Sequence, residues 1–187
     1  MWIKVTGTIA DLWPGTAGDN GNLPGINWGT TGLPGFEFYG AGSLIGLGLG
    51  NTATWNNTVD WSQWHHLALT WDPAGSPKVQ LFVDGVPVAE HDTLAVPVSS
   101  PSPLQLGYPT RTNTGLQMAM SEVRLSSVVR YNASFTPAQT FAPDADTVAL
   151  YKFIEQTGLT VADSSGHGNA LTLTALPTGT LPVWFVE

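Results

Sequence analysis

The sequence predicts an all-β protein, a two-sheet antiparallel jelly-roll sandwich. Three observations point there: strand-type alternation recurs along the chain, turn residues return about every ten positions, and apolar residues at helical spacing are almost absent. With 21 Gly and 14 Pro in 187 residues, the chain has turns enough for many short strands, and such strands pack as sandwiches or barrels.

In chain order, Met1 to Ile9 alternates and is rich in β-formers, so it reads as a strand. Trp13 to Gly35 is punctuated by Gly, Pro, Asn and Thr and reads as a long loop or short hairpins, with a tight turn at Gly18-Asp19-Asn20-Gly21-Asn22. Short strands are expected at Phe36 to Tyr39 and Ser43 to Leu49; the glycines of the second allow another backbone to approach closely. Trp64 to Trp71 is the clearest strand. Its period of two puts Leu67, Leu69 and Trp71 on one face and His66, Ala68 and Thr70 on the other. Asp72-Pro73-Ala74-Gly75 turns the chain into a strand at Lys78 to Val83. Asp84-Gly85 then closes a hairpin, because this pair tolerates the positive φ of a two-residue turn. Further strands are expected at Leu104 to Gly107, Gln117 to Leu125, Val148 to Ile154 and Ala170 to Leu173. Val96 to Pro103 and Phe135 to Asp146 read as loops, and Ser126 to Tyr131 as one short helical turn. Neither a repeat nor a second domain is visible, so residues 1–187 read as one domain, long enough to bury a core without disulfides or a metal.

Charged residues make up 11% of the chain, against about 25% in an average domain. Six Lys and Arg face 14 Asp and Glu, a formal charge of -8. A nucleic-acid binder needs a basic footprint to displace phosphate counterions, so nucleic acid is excluded as a partner, and anionic membrane surfaces are disfavoured. The absence of cysteine rules out disulfides, thiolate zinc sites and thiol nucleophiles. No stretch approaches the ~18 apolar residues of a transmembrane helix. No signal peptide is visible, since Met1 runs directly into a strand pattern; export information outside the chain, or a place on a virion, would then bring the protein to a surface.

Three stretches carry a family resemblance. Trp64-His65-His66-Leu67-Ala68-Leu69-Thr70-Trp71-Asp72 leads into Leu81-Phe82-Val83-Asp84-Gly85. Ser121-Glu122-Val123-Arg124-Leu125-Ser126 is followed by Val129-Arg130-Tyr131 and Phe135-Thr136-Pro137. Leu150-Tyr151-Lys152-Phe153-Ile154-Glu155 precedes Val161-Ala162-Asp163-Ser164-Ser165-Gly166-His167-Gly168-Asn169. Together with Met1 to Lys4, these resemble the laminin-G-like, concanavalin A-like lectin and glucanase superfamily, in a form found in bacterial surface and phage tail proteins. The resemblance implies two antiparallel sheets in a jelly roll. Function follows less directly, because one fold hosts lectins, adhesion modules, hydrolases and structural parts. The Asp-Ser-Ser-Gly segment usually opens the family's domain, whereas here it closes the chain. The strand order is therefore permuted, or the module is cut across its usual boundary. Pro182 to Glu187 would then complete this sandwich from its far end or pair with a neighbouring copy.

Glycanases of this superfamily carry closely spaced carboxylates on one strand, and their mechanism needs two carboxyl groups ~5–10 Å apart. No such triplet occurs; Asp144-Ala145-Asp146 and Glu37 stand in loop-like or isolated contexts, and no Gly-x-Ser-x-Gly appears. No catalytic residue is assigned. His65 and His66 adjoin on one strand, point to opposite faces and read as structural; His91 and His167 read as loop residues. Asp163 to Asn169 offers a carboxylate, two hydroxyls and an amide on a flexible loop, which suits calcium, and the resemblance implies a structural Ca²⁺ held by Asp163 and Asn169 with Glu122. Ser121 stands where the family often has Asp, and the competing reading is an Asx-type turn closed by its own hydrogen bonds. Asp19, Asn20 and Asn22 form a weaker second set.

Eight tryptophans are many for this length. Trp2, Trp64 and Trp71 lie in strand patterns and read as core. Trp13, Trp28, Trp55, Trp61 and Tyr108 lie in Gly-, Asn- and Pro-rich stretches, where an exposed ring can stack on a sugar, pack locally or face a protein. Asn56 and Asn132 head glycosylation sequons. The expected function is a non-catalytic extracellular, cell-surface or virion-surface module for carbohydrate recognition or adhesion, with glycans as partners. The alternative is a self-assembling structural subunit completed by strand exchange with neighbouring copies, and a glycan-active enzyme is the remote third.

Overall fold

The computed structural model describes residues 1–5, 26–28, 36–41, 44–48, 52–56, 59–92, 105–106, 118–175 and 181–184. Every regular element among them is a strand. In chain order these are β1 (Trp2–Val5), β2 (Ile26–Trp28), β3 (Phe36–Ala41), β4 (Leu44–Gly48) and β5 (Thr52–Asn56). There follow β6 (His65–Trp71), β7 (Val79–Val83), β8 (Val86–His91), β9 (Gln105–Leu106) and β10 (Met118–Ser121). The last are β11 (Val123–Ser126), β12 (Thr147–Tyr151), β13 (Thr160–Val161) and β14 (Leu171–Thr172).

Two five-stranded antiparallel sheets form, in the orders β10-β1-β6-β7-β8 and β5-β4-β3-β2-β9, and their edge strands β8 and β5 lie against each other. Asp84 and Gly85 take φ values of 50° and 79°, the left-handed pair that the Asp-Gly signal calls for, and join β7 to β8. The expected faces of β6 hold. Leu67 joins Ile3, Trp61, Val79, Leu81 and Val83 in one buried cluster with Leu69 and Trp71 at its margin, while His66 lies on the opposite face among other rings. A second cluster forms around Val123, Ala149, Tyr151 and Val161. Met1 and Met120 pack against both clusters, and Trp184 packs against the second, its indole N–H donating to the Gly158 carbonyl at 2.9 Å.

Some elements differ from expectation. β5 and β13 are strands where none was expected, while Ile26 to Trp28 follows the short-hairpin alternative for Trp13 to Gly35, pairing antiparallel with β3. Gln117 to Leu125 is not one strand: it breaks at Glu122, whose φ is 43°. β10 on one side of the break pairs with β1, and β11 on the other pairs with β12. Ser126 to Tyr131 forms no helical turn; Ser127 instead pairs its N–H with the Asp146 carbonyl and so clamps the base of a long loop. The tight turn expected at Gly18 to Asn22, and the secondary candidates Asp19, Asn20 and Asn22, lie outside the described residues.

Candidate functional site

The chemically distinctive residues gather around β12 and the loop 127–146. The loop runs as a strap over the face of the first sheet that bears His66 and Phe82. A polar loop carrying Tyr131, Phe135 and Phe141 has apolar surface to bury, and this face receives it. Tyr131 stacks on Phe135 at 3.6 Å and 4° between planes, and Phe82 meets both rings edge-on. Three hydrogen bonds fasten the middle of the strap. Phe135 N–H donates to the Gly85 carbonyl at 2.9 Å, the Trp2 indole N–H donates to the Ala138 carbonyl at 3.1 Å, and Phe141 N–H donates to the Glu122 carboxylate. Arg124 lies 4.7 Å over the Phe141 ring and reaches the Tyr131 hydroxyl at 3.1 Å.

Glu122 is 8 % exposed, so its charge needs partners. It has the Phe141 N–H and, at 3.7 Å, the Lys152 ammonium. The break between β10 and β11 thus aims a carboxylate at the strap.

At the strap's ends Arg130 grips Asp144 with two bonds, at 2.8 and 2.6 Å, and also donates to Ser126 Oγ. These bonds, with that from Thr147, hold the Asp144 carboxyl far below the usual carboxylate range. Asp144 is exposed, so solvent screens the pair and its main role is geometric. Arg130→Lys keeps the charge and loses the two-pronged grip. The expected result is a fall in Tm of roughly 2–4 °C, measurable by calorimetry.

Asp163 sits beyond the other edge of β12, paired as a bridge with Tyr151. Its Oδ1 accepts from Leu150 N–H at 3.0 Å and Ser165 N–H at 2.8 Å, and its Oδ2 accepts from Asn169 N–H at 3.0 Å. Burial raises this carboxyl's pKa, but hydrogen bonds from Leu150, Ser165 and Asn169 outweigh it and hold the group well below the usual range. Asn169 turns its amide N–H to the Val148 carbonyl at 3.0 Å. Gly166 and Gly168, with φ of 89° and 79°, let the loop curl around the carboxylate. The structure thus brings Asp163 and Asn169 together in an Asx-type turn. It does not bring Glu122 to them, because Glu122 is bound to Phe141 and Lys152 beside the opposite edge of β12. A calcium ion held by all three residues does not fit this arrangement. Among the described residues no group of three or more His, Asp or Glu converges as a metal cluster.

A family model described as the concanavalin A-like lectin/glucanases superfamily matches residues 1–134. The chain belongs to this laminin-G-like family. No curated protein and no solved structure matches it. The family match ends inside the strap, between Tyr131 and Phe135, so the stretch resembling the family's opening motif, Leu150 to Asn169, lies beyond it. Laminin-G-like modules are generally non-catalytic and often extracellular. No helix among the described residues is long and apolar enough to cross a membrane.

Of the aromatic candidates for sugar contact, Trp61 requires correction. It is 2 % exposed in the first core cluster, its ring edge-on to His65 at 5.2 Å, so neither indole face is open for stacking. Trp28 and Trp55 lie on β2 and β5, with side chains outside the described set, and Trp13 and Tyr108 lie outside the described residues altogether. Asn132 is exposed on the strap and Asn56 ends β5. The sequence reading missed the strap as a packed element. The signal was there, in three aromatic residues spaced through an otherwise polar loop.

Proposed function

We propose that this chain is a non-catalytic module for carbohydrate recognition or adhesion, working at a cell or virion surface. Membership of the laminin-G-like family carries the reading. The chemistry of four of the described carboxylates supports it. Glu122 serves the strap, Asp144 holds Arg130, Asp163 closes its own turn, and Asp84 joins His65 Nδ1 at 2.7 Å and the His66 N–H at 2.9 Å. Carboxylates fixed in this way act as scaffold rather than as acid and base. Trp13, Trp28, Trp55 and Tyr108 remain the proposed sugar-contacting set. A glycan array probed with the full chain, in calcium and in chelator, is expected to show selective binding that is lost on substitution of one or more of these four aromatics. An array without signal in either condition overturns the reading. Signal only in calcium would place an ion at the recognition site.

One observation favours the self-assembly reading. Ile154, Leu159, Leu181 and Val183 are 70, 50, 42 and 82 % exposed, and the packing of Trp184 against Gly158 draws the Leu181–Trp184 segment toward the turn that bears the first two. Exposed apolar residues gathered in this way suit contact with a neighbouring copy. Light scattering on the chain and on a Val183→Asp variant tests this: assemblies that dissolve in the variant support it, and a monomer at all concentrations removes it.

A further inference from the structure

β6 places His66 beneath the strap, where the residue is 1 % exposed. The rings of Trp2, Phe135, Phe141 and Tyr131 surround it edge-on, with centroids at 5.3, 5.7, 5.8 and 6.3 Å. Its Nδ1 has no hydrogen-bond partner. A neutral imidazole needs only one donor and one acceptor, whereas an imidazolium donates from both nitrogens. In this cage the imidazolium would keep a buried N–H without an acceptor, and a buried charge as well.

The charged and titratable groups around the ring do not reverse this. From β11, Arg124 repels a proton on His66; the Met1 amino group, at 2.8 Å from the Leu67 carbonyl, does so only where it is charged, because burial, with Arg124 against Glu122, pushes its own pKa down to about 5. Asp84, at the turn after β7, attracts it, yet its two oxygens already serve the His66 backbone N–H and the His65 ring. From the strap, Tyr131 turns its hydroxyl to Arg124, and Glu122 is bound to Phe141 and Lys152. Burial first, then the Met1 amino group and Arg124 against Asp84, push the His66 pKa down to about 3. The strap's ends behave differently, because Asp144 stays ionised far into acid and keeps its grip on Arg130.

We propose that His66 is a latch whose protonation releases residues 131–141 from the sheet while Arg130 and Asp144 keep the ends of the strap pinned. The closed strap requires a neutral ring, and in the released strap the imidazole regains its ordinary value near 6.5. Closure is therefore fully favoured above that pH and weakens as pH falls toward the closed-state value. Across that window each pH unit multiplies the released population about tenfold. Release would uncover Trp2, His66 and Phe82, an aromatic face on the outside of the sheet.

Hydrogen exchange on the full chain between pH 7 and pH 4, corrected for intrinsic rates, tests the latch. The Phe135 and Phe141 amides are expected to lose protection about tenfold per pH unit, while the Leu67 and Asp84 amides of the sheet keep theirs. In His66→Phe, which keeps a ring without a titrating nitrogen, the strap amides should become independent of pH in this window. Equal loss at strap and sheet amides in the wild type overturns the proposal and needs no variant to fold. Unchanged pH dependence in His66→Phe also overturns it, and points instead to the Met1 amino group, whose pKa burial pushes down to about 5.

Discussion

Gly85→Ala is expected to cost on the order of 3–5 kcal/mol, enough to leave most of the chain unfolded or insoluble at 37 °C. Two effects combine. Gly85 has φ of 79°, a region that strains any side chain. In addition, a Cβ there would lie 1.8 Å from the Phe135 carbonyl oxygen and 2.8 Å from its carbonyl carbon. Both atoms are backbone, so no rotamer change relieves the clash. Gly85 and Phe135 are also joined by the bond from Phe135 N–H to the Gly85 carbonyl, so moving one backbone away from the other breaks the contact that seats the strap. Gly166→Ala is the control. Its φ of 89° imposes comparable backbone strain, but nothing lies within 4 Å of the added carbon. Urea denaturation should place that variant about 1–2 kcal/mol below wild type, and the gap between the two variants measures the clash. If the two cost the same, the close approach of strap and hairpin is not what constrains Gly85.

The hairpin and its glycine were legible in the sequence because Asp-Gly between alternating apolar residues encodes a local backbone geometry. The faces of β6 were legible for the same reason: a period of two fixes which residues lie together before any partner is known. The strap was not. Nothing local says where Tyr131, Phe135 and Phe141 go, since their partners Trp2, His66 and Phe82 are brought beneath them only when β1, β6 and β7 assemble. The break at Glu122 was hidden for a related reason. Glutamate carries no preference for a φ of 43°, and the strand changes partner there because β1 and β12 lie on different sides of the turn. Trp61 misled through its neighbours: polar residues around a tryptophan suggested a loop platform, but the Asp60–Gln63 turn, closed by a bond of 3.1 Å from Gln63 N–H to the Asp60 carbonyl, points the indole inward.

Asp163→Ala is expected to cost about 3 kcal/mol, because it removes the acceptor for three backbone N–H groups in one step. An unsatisfied buried donor costs roughly 1–3 kcal/mol, while one that water can reach costs little. The Leu150 N–H belongs to a fully buried residue near the end of β12 and carries most of the penalty, while the Ser165 and Asn169 donors lie nearer solvent. Asp163→Asn keeps one carbonyl oxygen, which can retain the Leu150 and Ser165 bonds, so it should cost less than half as much. The pH dependence has a definite sign. The folded carboxyl titrates below its unfolded value of 3.8, so the unfolded chain binds the proton more readily and stability falls as pH drops through that value. Wild type should therefore lose stability below about pH 4 more steeply than Asp163→Asn, which has no proton to take up there. Urea midpoints at pH 7, 4 and 3 for the three proteins check this. Parallel curves would mean that the carboxylate's hydrogen bonds are not retained in solution. The same series in calcium and in chelator separates two roles for the turn. A turn closed by its own N–H groups gives midpoints indifferent to the ion, whereas a turn that bound calcium would be stabilised by it in wild type alone.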